Sequence, residues 1–260
     1  MFPRRSILSA ISTLAFVTRA QAGATTPTMV LVIPSIHKRL AGNPRYNYHD
    51  LYALVGAFRP DLVGVEIRQE DLARPDAYLH HNYPEEMVAL ARAYQGRVFG
   101  FDWLGEALRG RTIPDDWWTK QSPIKQLERR CEAAPSTMSP RVAQLSARLD
   151  ALSQRQEQIA DTASAASLAD GRYDRVTAEY YRVATELTRG TPCEPLSAWY
   201  AQRDDEIAAN IVGVVRENAG RRIAVVTGAD HHGPVVAALS ARGTSIMLVP
   251  VPGETPAHAR

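Results

Sequence analysis

Four short apolar runs punctuate this chain, and each stops at a side chain able to do chemistry. Residues 29–33 lead to His37 and residues 62–65 to Glu66; residues 97–101 lead to Asp102, and residues 223–226 to Asp230, His231 and His232. Uninterrupted β-branched runs of this length read as buried strands. Helical patterns lie between them. Leu51, Leu54, Val55 and Phe58 recur at helical spacing over residues 48–58. Pro84, Glu85 and Glu86 open a second helix, with Met87, Leu90, Ala91 and Tyr94 as its apolar stripe and Gly96 as its end. Strand–helix–strand–helix–strand predicts right-handed crossovers and a parallel sheet, an α/β fold flanked by helices. The carboxyl ends of such strands lie along one edge, where open sheets bind ligands.

The order resumes late in the chain. Ile207, Ile211, Val214 and Val215 mark one face of a helix over residues 197–218, and Gly220 stops it. A strand over 223–226 follows, then a short helix beginning near Pro234 and a fifth strand over 245–249. The middle of the chain differs. Val142, Leu145, Leu149, Leu152 and Ile159 keep heptad spacing, interrupted by the polar Gln156. After Asp170 and Gly171, Tyr173, Val176, Tyr180, Val183 and Leu187 do the same. Two such helices joined by a short link form an antiparallel hairpin. The expected organisation is an α/β core over 23–115 and 196–250, a helical insertion over 116–195, and a loose tail over 251–260. The hairpin suits a scaffold, a lid, or an arm for a homodimer.

Arg4 and Arg5 precede an apolar stretch over 7–17 and then Ala20, Gln21 and Ala22, the order of a secretory signal. The paired arginines also fit a twin-arginine signal. Cleavage after Ala22 and a periplasmic or secreted protein are the expectation. The stretch is too short to span a bilayer, and no other run reads as a membrane span. In an oxidising compartment Cys131 and Cys193 are candidates for a disulfide; neither has metal-ligand spacing. The net charge of +2 is spread along the chain without a basic stripe, which argues against a nucleic-acid partner.

Glu66 sits among strand hydrophobics, where a carboxylate needs a partner. Arg68, two residues on, is the obvious structural one. Arg203 stands one turn before Ile207 on the core-facing stripe, placed to meet a carboxylate or an anionic transition state; a helix-end bridge to Asp204 or Asp205 is the bland alternative. His231 and His37 take equivalent places after strands. Imidazole and carboxylate together can bind Zn²⁺, Mn²⁺ or Fe²⁺, or activate water. His80 and His81 read as surface residues of a loop. There is no G-x-S-x-G, H-E-x-x-H, P-loop or G-x-G-x-x-G, so the familiar serine hydrolases and nucleotide-binding enzymes are poor fits.

Pro34-Ser35-Ile36-His37, the strand ending in Glu66, the helix start Arg203-Asp204-Asp205-Glu206, and Gly228-Ala229-Asp230-His231 resemble, in order, the motifs of the TraB/GumN and Tiki group. That group lies in a wider superfamily with erythromycin esterases and ChaN-like haem-binding proteins. Pro34 stands where the family has glycine, and Asp204 where it has asparagine. The resemblance implies an exported hydrolase acting on a peptide or ester bond of a small-molecule or peptide substrate. Its site would use Glu66, Arg203 and His231 catalytically and His37, Glu66 and His231 for a divalent metal, with Asp102, Asp230, His232 and Arg68 as secondary candidates. The alternative it implies is a non-catalytic periplasmic carrier of haem or metal.

Overall fold

The computed structural model describes residues 26–133 and 139–253. The expected signal, residues 1–22, lies outside the described residues, as do residues 254–260 of the expected tail. In chain order the elements are β1 (Thr28–Ser35), α1 (Tyr48–Phe58), β2 (Leu62–Val65), α2 (Asp76–Asn82), α3 (Glu85–Ala93) and β3 (Val98–Gly100). Then come α4 (Pro123–Ala133), α5 (Pro140–Thr162), α6 (Ala165–Leu168), α7 (Arg172–Thr188) and α8 (Glu194–Glu217). The chain closes with β4 (Arg222–Gly228), α9 (Ala229–Ser240) and β5 (Ile246–Leu248).

The five strands form one all-parallel sheet in the order β3-β2-β4-β1-β5. Alternation along each strand divides the core in two. Leu31, Ile33, Val63, Val65, Ala224 and Val226 face α1 and α3, while Val30, Val32, Ile223 and Val225 face Ile207, Ile211 and Val215 of α8 and Val235 and Leu239 of α9. Burial on both faces is why these strands are continuous apolar runs rather than alternating ones. The late strand β4 slots between β1 and β2, pairing Ser35 with Gly228 and Val65 with Val226. His37, Gly228 and Glu66 therefore emerge side by side at the carboxyl edge.

Three boundaries differ from expectation. Strand β1 runs through Pro34 to Ser35, the Pro34 carbonyl accepting the Tyr46 hydroxyl. Helix α9 starts at Ala229 and carries Pro234 inside it, so Asp230, His231 and His232 belong to its first turns rather than to a loop. His80 and His81 lie on α2, where His80 pairs with Glu85 near the surface.

Helices α5 and α7 form the expected antiparallel hairpin. Early residues of α5 meet late residues of α7, Arg141 to Glu186 and Arg148 to Glu179, while Gln156 donates to Thr177 at 2.9 Å. The hairpin is seated on the core. Asn43 donates to the carbonyls of Ala160 and Ala163, and Asp174 of α7 meets His232 Nδ1 at 3.0 Å. Gln156, the polar break in the heptads, thus points at the edge where the strands end.

Cys131 and Cys193 form a disulfide tying α4 to the start of α8 across 62 residues. Closing so long a loop restricts the unfolded chain, and reduction is expected to cost about 2–4 kcal/mol. Urea midpoints with and without reductant measure it; a coincident pair of curves would refute the stabilisation. Among the described residues, no helix is long and apolar enough to cross a membrane.

Candidate functional site

Glu66 is the centre of the carboxyl-edge cluster. It follows β2 directly and is 6% exposed. Its Oε1 accepts Arg203 Nη2 at 3.0 Å, and its Oε2 accepts the Gly228 backbone N–H at 2.6 Å. Arg203, on the buried stripe of α8, also gives Nη2 and Nε to Asp102 Oδ1 at 2.8 and 3.3 Å, and Nε to the Trp103 carbonyl at 3.2 Å. One guanidinium thus serves two carboxylates, which respond in opposite ways. Burial pushes both up. At Glu66 the charges of His231, Arg203 and His37, with the Gly228 N–H, more than offset burial and hold it down at about 2. At Asp102 burial prevails over Arg203, helped by the Glu66 charge, and its pKa is raised. Of these two carboxylates, Asp102 is the first to take up a proton as pH falls.

His231 stands on the other side of Arg203. Its Nδ1 meets Asp204 Oδ1 at 2.5 Å and its Nε2 meets Arg203 Nη1 at 2.9 Å. A guanidinium only donates, so in the neutral imidazole these partners place the hydrogen on Nδ1. Arg203 and Asp204, neighbours in sequence, bind one imidazole from two sides. The sequence alternative, an internal bridge between them, is replaced by this shared grip.

His37 forms the mouth. Its backbone takes the left-handed conformation, φ 51°, with its N–H on Ser35 Oγ at 3.0 Å. The imidazole is 36% exposed, and Nδ1 meets Glu86 Oε1 at 2.8 Å. Burial pulls its pKa down, but the Glu86 hydrogen bond and the charges of Glu66, Glu86 and Asp230 outweigh that and raise it. Nε2 faces Gly228 on the same side as Glu66 Oε2. A Cβ on Gly228 would lie 2.8 Å from that nitrogen and 3.1 Å from that oxygen. Gly228 has φ −52°, so space and not backbone freedom demands glycine here. Gly228→Ala is expected to cost about 1 kcal/mol by overpacking and to push the imidazole off Glu86. The His37 titration, followed by NMR, should then fall toward that of a free imidazole; an unchanged titration would refute the contact.

The remaining candidates separate. Asp102 and Asp230 join the cluster, Asp230 accepting the Tyr173 hydroxyl at 2.8 Å. His232 is buried against Asp174 and does not. Arg68 does not either. It turns from Glu66 to Asp71, Tyr83 and the carbonyls of Leu108 and Arg111. Strand β2 ends at Val65, so the same-face pairing expected from strand alternation does not extend to Arg68.

Two further residues of the cluster do not stand out in the sequence. Glu86 has the position of a first-turn helix acid, yet it is fully buried. Its Oε1 accepts both Ser35 Oγ at 2.6 Å and His37, while its Oε2 has no partner among the described residues. Asp204 figures in the sequence as a departure from a motif and as a helix-end partner for Arg203, not as a partner of His231. Both stand four residues before a buried residue of their own helix, Leu90 and Ala208, the same spacing that singled out Arg203.

His37 Nε2 and Glu66 Oε2 both lie beside Gly228, with Oε2 accepting its N–H, and His231 has both ring nitrogens engaged. A metal on His231 Nε2 would have to displace Arg203. The expected His37–Glu66–His231 set would have to exchange these hydrogen bonds for a metal ion. Among the described residues, no group of three or more His, Cys, Asp or Glu is close enough to hold a metal ion. No family model, curated protein or solved structure matches this chain.

Proposed function

We propose that this chain is an exported hydrolase of the TraB/Tiki-like type, acting on a peptide or ester bond by proton transfer at His37. The observation that supports this most is the Glu86–His37–Glu66 series at the carboxyl edge of a parallel sheet. His37 is the exposed member, with a carboxylate on Nδ1 and another beside Nε2. Glu86 fixes the tautomer that leaves Nε2 to accept a proton from water, as a buried acid does in other base–orienter pairs. Glu66 stays ionised, and its Oε2 accepts the Gly228 N–H on the side of that glycine shared with His37 Nε2. Arg203 divides its charge between Glu66 and Asp102, so its part is to keep Glu66 ionised and to hold His231. The amino-terminal end of α9, beginning beside Gly228, presents positive dipole where an oxyanion would develop.

The test is a panel of peptide and ester substrates with protein purified without added metal. The protein is assayed before and after chelation and metal add-back, with bound metal and absorbance recorded. Turnover that survives chelation is expected. Turnover restored only by a divalent ion would replace the proton-transfer scheme with the metal-dependent one. A Soret band with no turnover across the panel would overturn the hydrolase reading in favour of a haem carrier.

A further inference from the structure

A cleft of about 500 Å³ opens between the hairpin and the core, lined by residues of α4, α5, α7 and α8 and by Asp230 of α9. Tyr180, Tyr181 and Tyr200 line it. Tyr180 meets Tyr181 edge to face at 5.6 Å between ring centroids, and Tyr181 meets Tyr200 at 6.1 Å. The series continues through Trp199, 5.1 Å from Tyr200, to Trp103, whose carbonyl is held by Arg203. An aromatic path therefore leads from the cleft to the catalytic cluster.

The charge in this cleft has one sign. Its lining, among the described residues, includes two carboxylates, Glu128 and Asp230, and no lysine or arginine. Glu128 is already satisfied, by the Tyr200 hydroxyl at 2.5 Å and by Lys125 at 2.7 Å. Asp230 accepts Tyr173 and a long bond of 3.5 Å from Gln156, both neutral, and forms no ion pair with lysine or arginine among the described residues. It is exposed, and its charge reaches His37. A carboxylate beside tyrosine faces is a recognition surface for an ammonium attached to an apolar body.

We propose that this cleft selects the acyl part of the substrate: a free amino group at Asp230 and an aromatic or aliphatic side chain among Tyr180, Tyr181 and Tyr200. The substrate class is then an aminoacyl ester or a peptide with an unblocked, apolar amino-terminal residue, its carbonyl lying toward His37. This rests on the hydrolase reading, and its test separates the two. L-Phenylalaninol, which has the amine and ring but no bond to cleave, is titrated calorimetrically beside its N-acetyl derivative. The free amine is expected to bind at least about tenfold tighter, an ordinary margin for one charge–charge contact. Asp230→Asn, which keeps the shape and an acceptor for Tyr173, should erase that margin. Tyr181→Ala should weaken both probes, while Tyr181→Phe should keep the affinity because it keeps the ring. Equal binding of the two probes, or a margin that survives Asp230→Asn, overturns the proposal. In parallel, phenylalanine methyl ester and its N-acetyl form are assayed for hydrolysis. Selective binding without turnover would leave the cleft assignment standing and remove the hydrolase. Equal turnover of both esters would do the reverse.

Discussion

Arg203→Met is expected to cost about 3–5 kcal/mol of stability at neutral pH, the usual penalty for removing one partner of a buried ion pair. The side chain packs at the centre of the edge cluster and is 16% exposed, while Glu66 and Asp102 are more deeply covered. Methionine keeps most of the volume, so a cavity accounts for little of the loss. Two carboxylates then face each other without their shared cation, and His231 loses the donor on Nε2. The pH dependence gives the sign. In the parent protein the Glu66 pKa is depressed to about 2, so its stabilisation is present above the ordinary carboxyl value and disappears as pH falls from about 4.5 to about 2. Asp102, shifted upward, works the other way and blunts that loss. Without Arg203 the depression at Glu66 weakens, so the acid limb should flatten and the variant's deficit should shrink as pH falls. Urea midpoints from pH 7 to pH 3 measure both. A deficit under about 1 kcal/mol, or one that grows in acid, would mean that Arg203 is not what holds Glu66 ionised.

That coupling shows which parts of the site are written locally. Glu66, His37 and Arg203 each interrupt or extend an apolar pattern, and such an interruption is visible in one segment. The strands were legible for the same reason, since burial on both faces leaves an unbroken run at 29–33, 62–65 and 223–226. Strand order was not. Nothing local to residues 223–226 says that β4 enters between β1 and β2, and that insertion sets Gly228 between His37 and Glu66. Glu86 and Asp174 lie in the first turns of α3 and α7, where acids are favoured for dipole and solvation reasons alone, and Asp204 lies mid-helix in α8 beside Asp205 and Glu206, where an acid reads as solvated. Their pairing depends on which imidazole faces them, a property of the assembled sheet edge. Pro234 misled in a related way. Proline usually opens a helix, but α9 begins five residues earlier, at the strand end, and absorbs it.

His37→Ala is expected to lower kcat/KM for a cleaved ester by about 10²–10⁴-fold, the usual contribution of a positioned general base. The variant also leaves the buried Glu86 with Ser35 as its remaining partner, so urea midpoints are recorded beside the rates to separate lost stability from lost chemistry. The pH profile distinguishes a proton acceptor from a mere wall of the site. With its pKa raised above the ordinary 6.5, chiefly by Glu86 against the opposing pull of burial, His37 is protonated at lower pH and inactive as a base. Activity should therefore rise through a limb above pH 6.5, and that limb should vanish in His37→Ala. Glu86→Gln keeps the size of the orienting group but removes its charge, so the limb should move to lower pH with a smaller loss of rate. The same raised pKa has a stability counterpart of opposite slope. The ion pair with Glu86 is fully present below pH 6.5 and is lost as pH rises through the His37 pKa, so the protein gains activity over the window in which it gives up this stabilisation. A His37→Ala variant within about threefold of the parent rate, or a limb unmoved by Glu86→Gln, would remove His37 as the base and leave the Glu66–Arg203–His231 cluster to supply one.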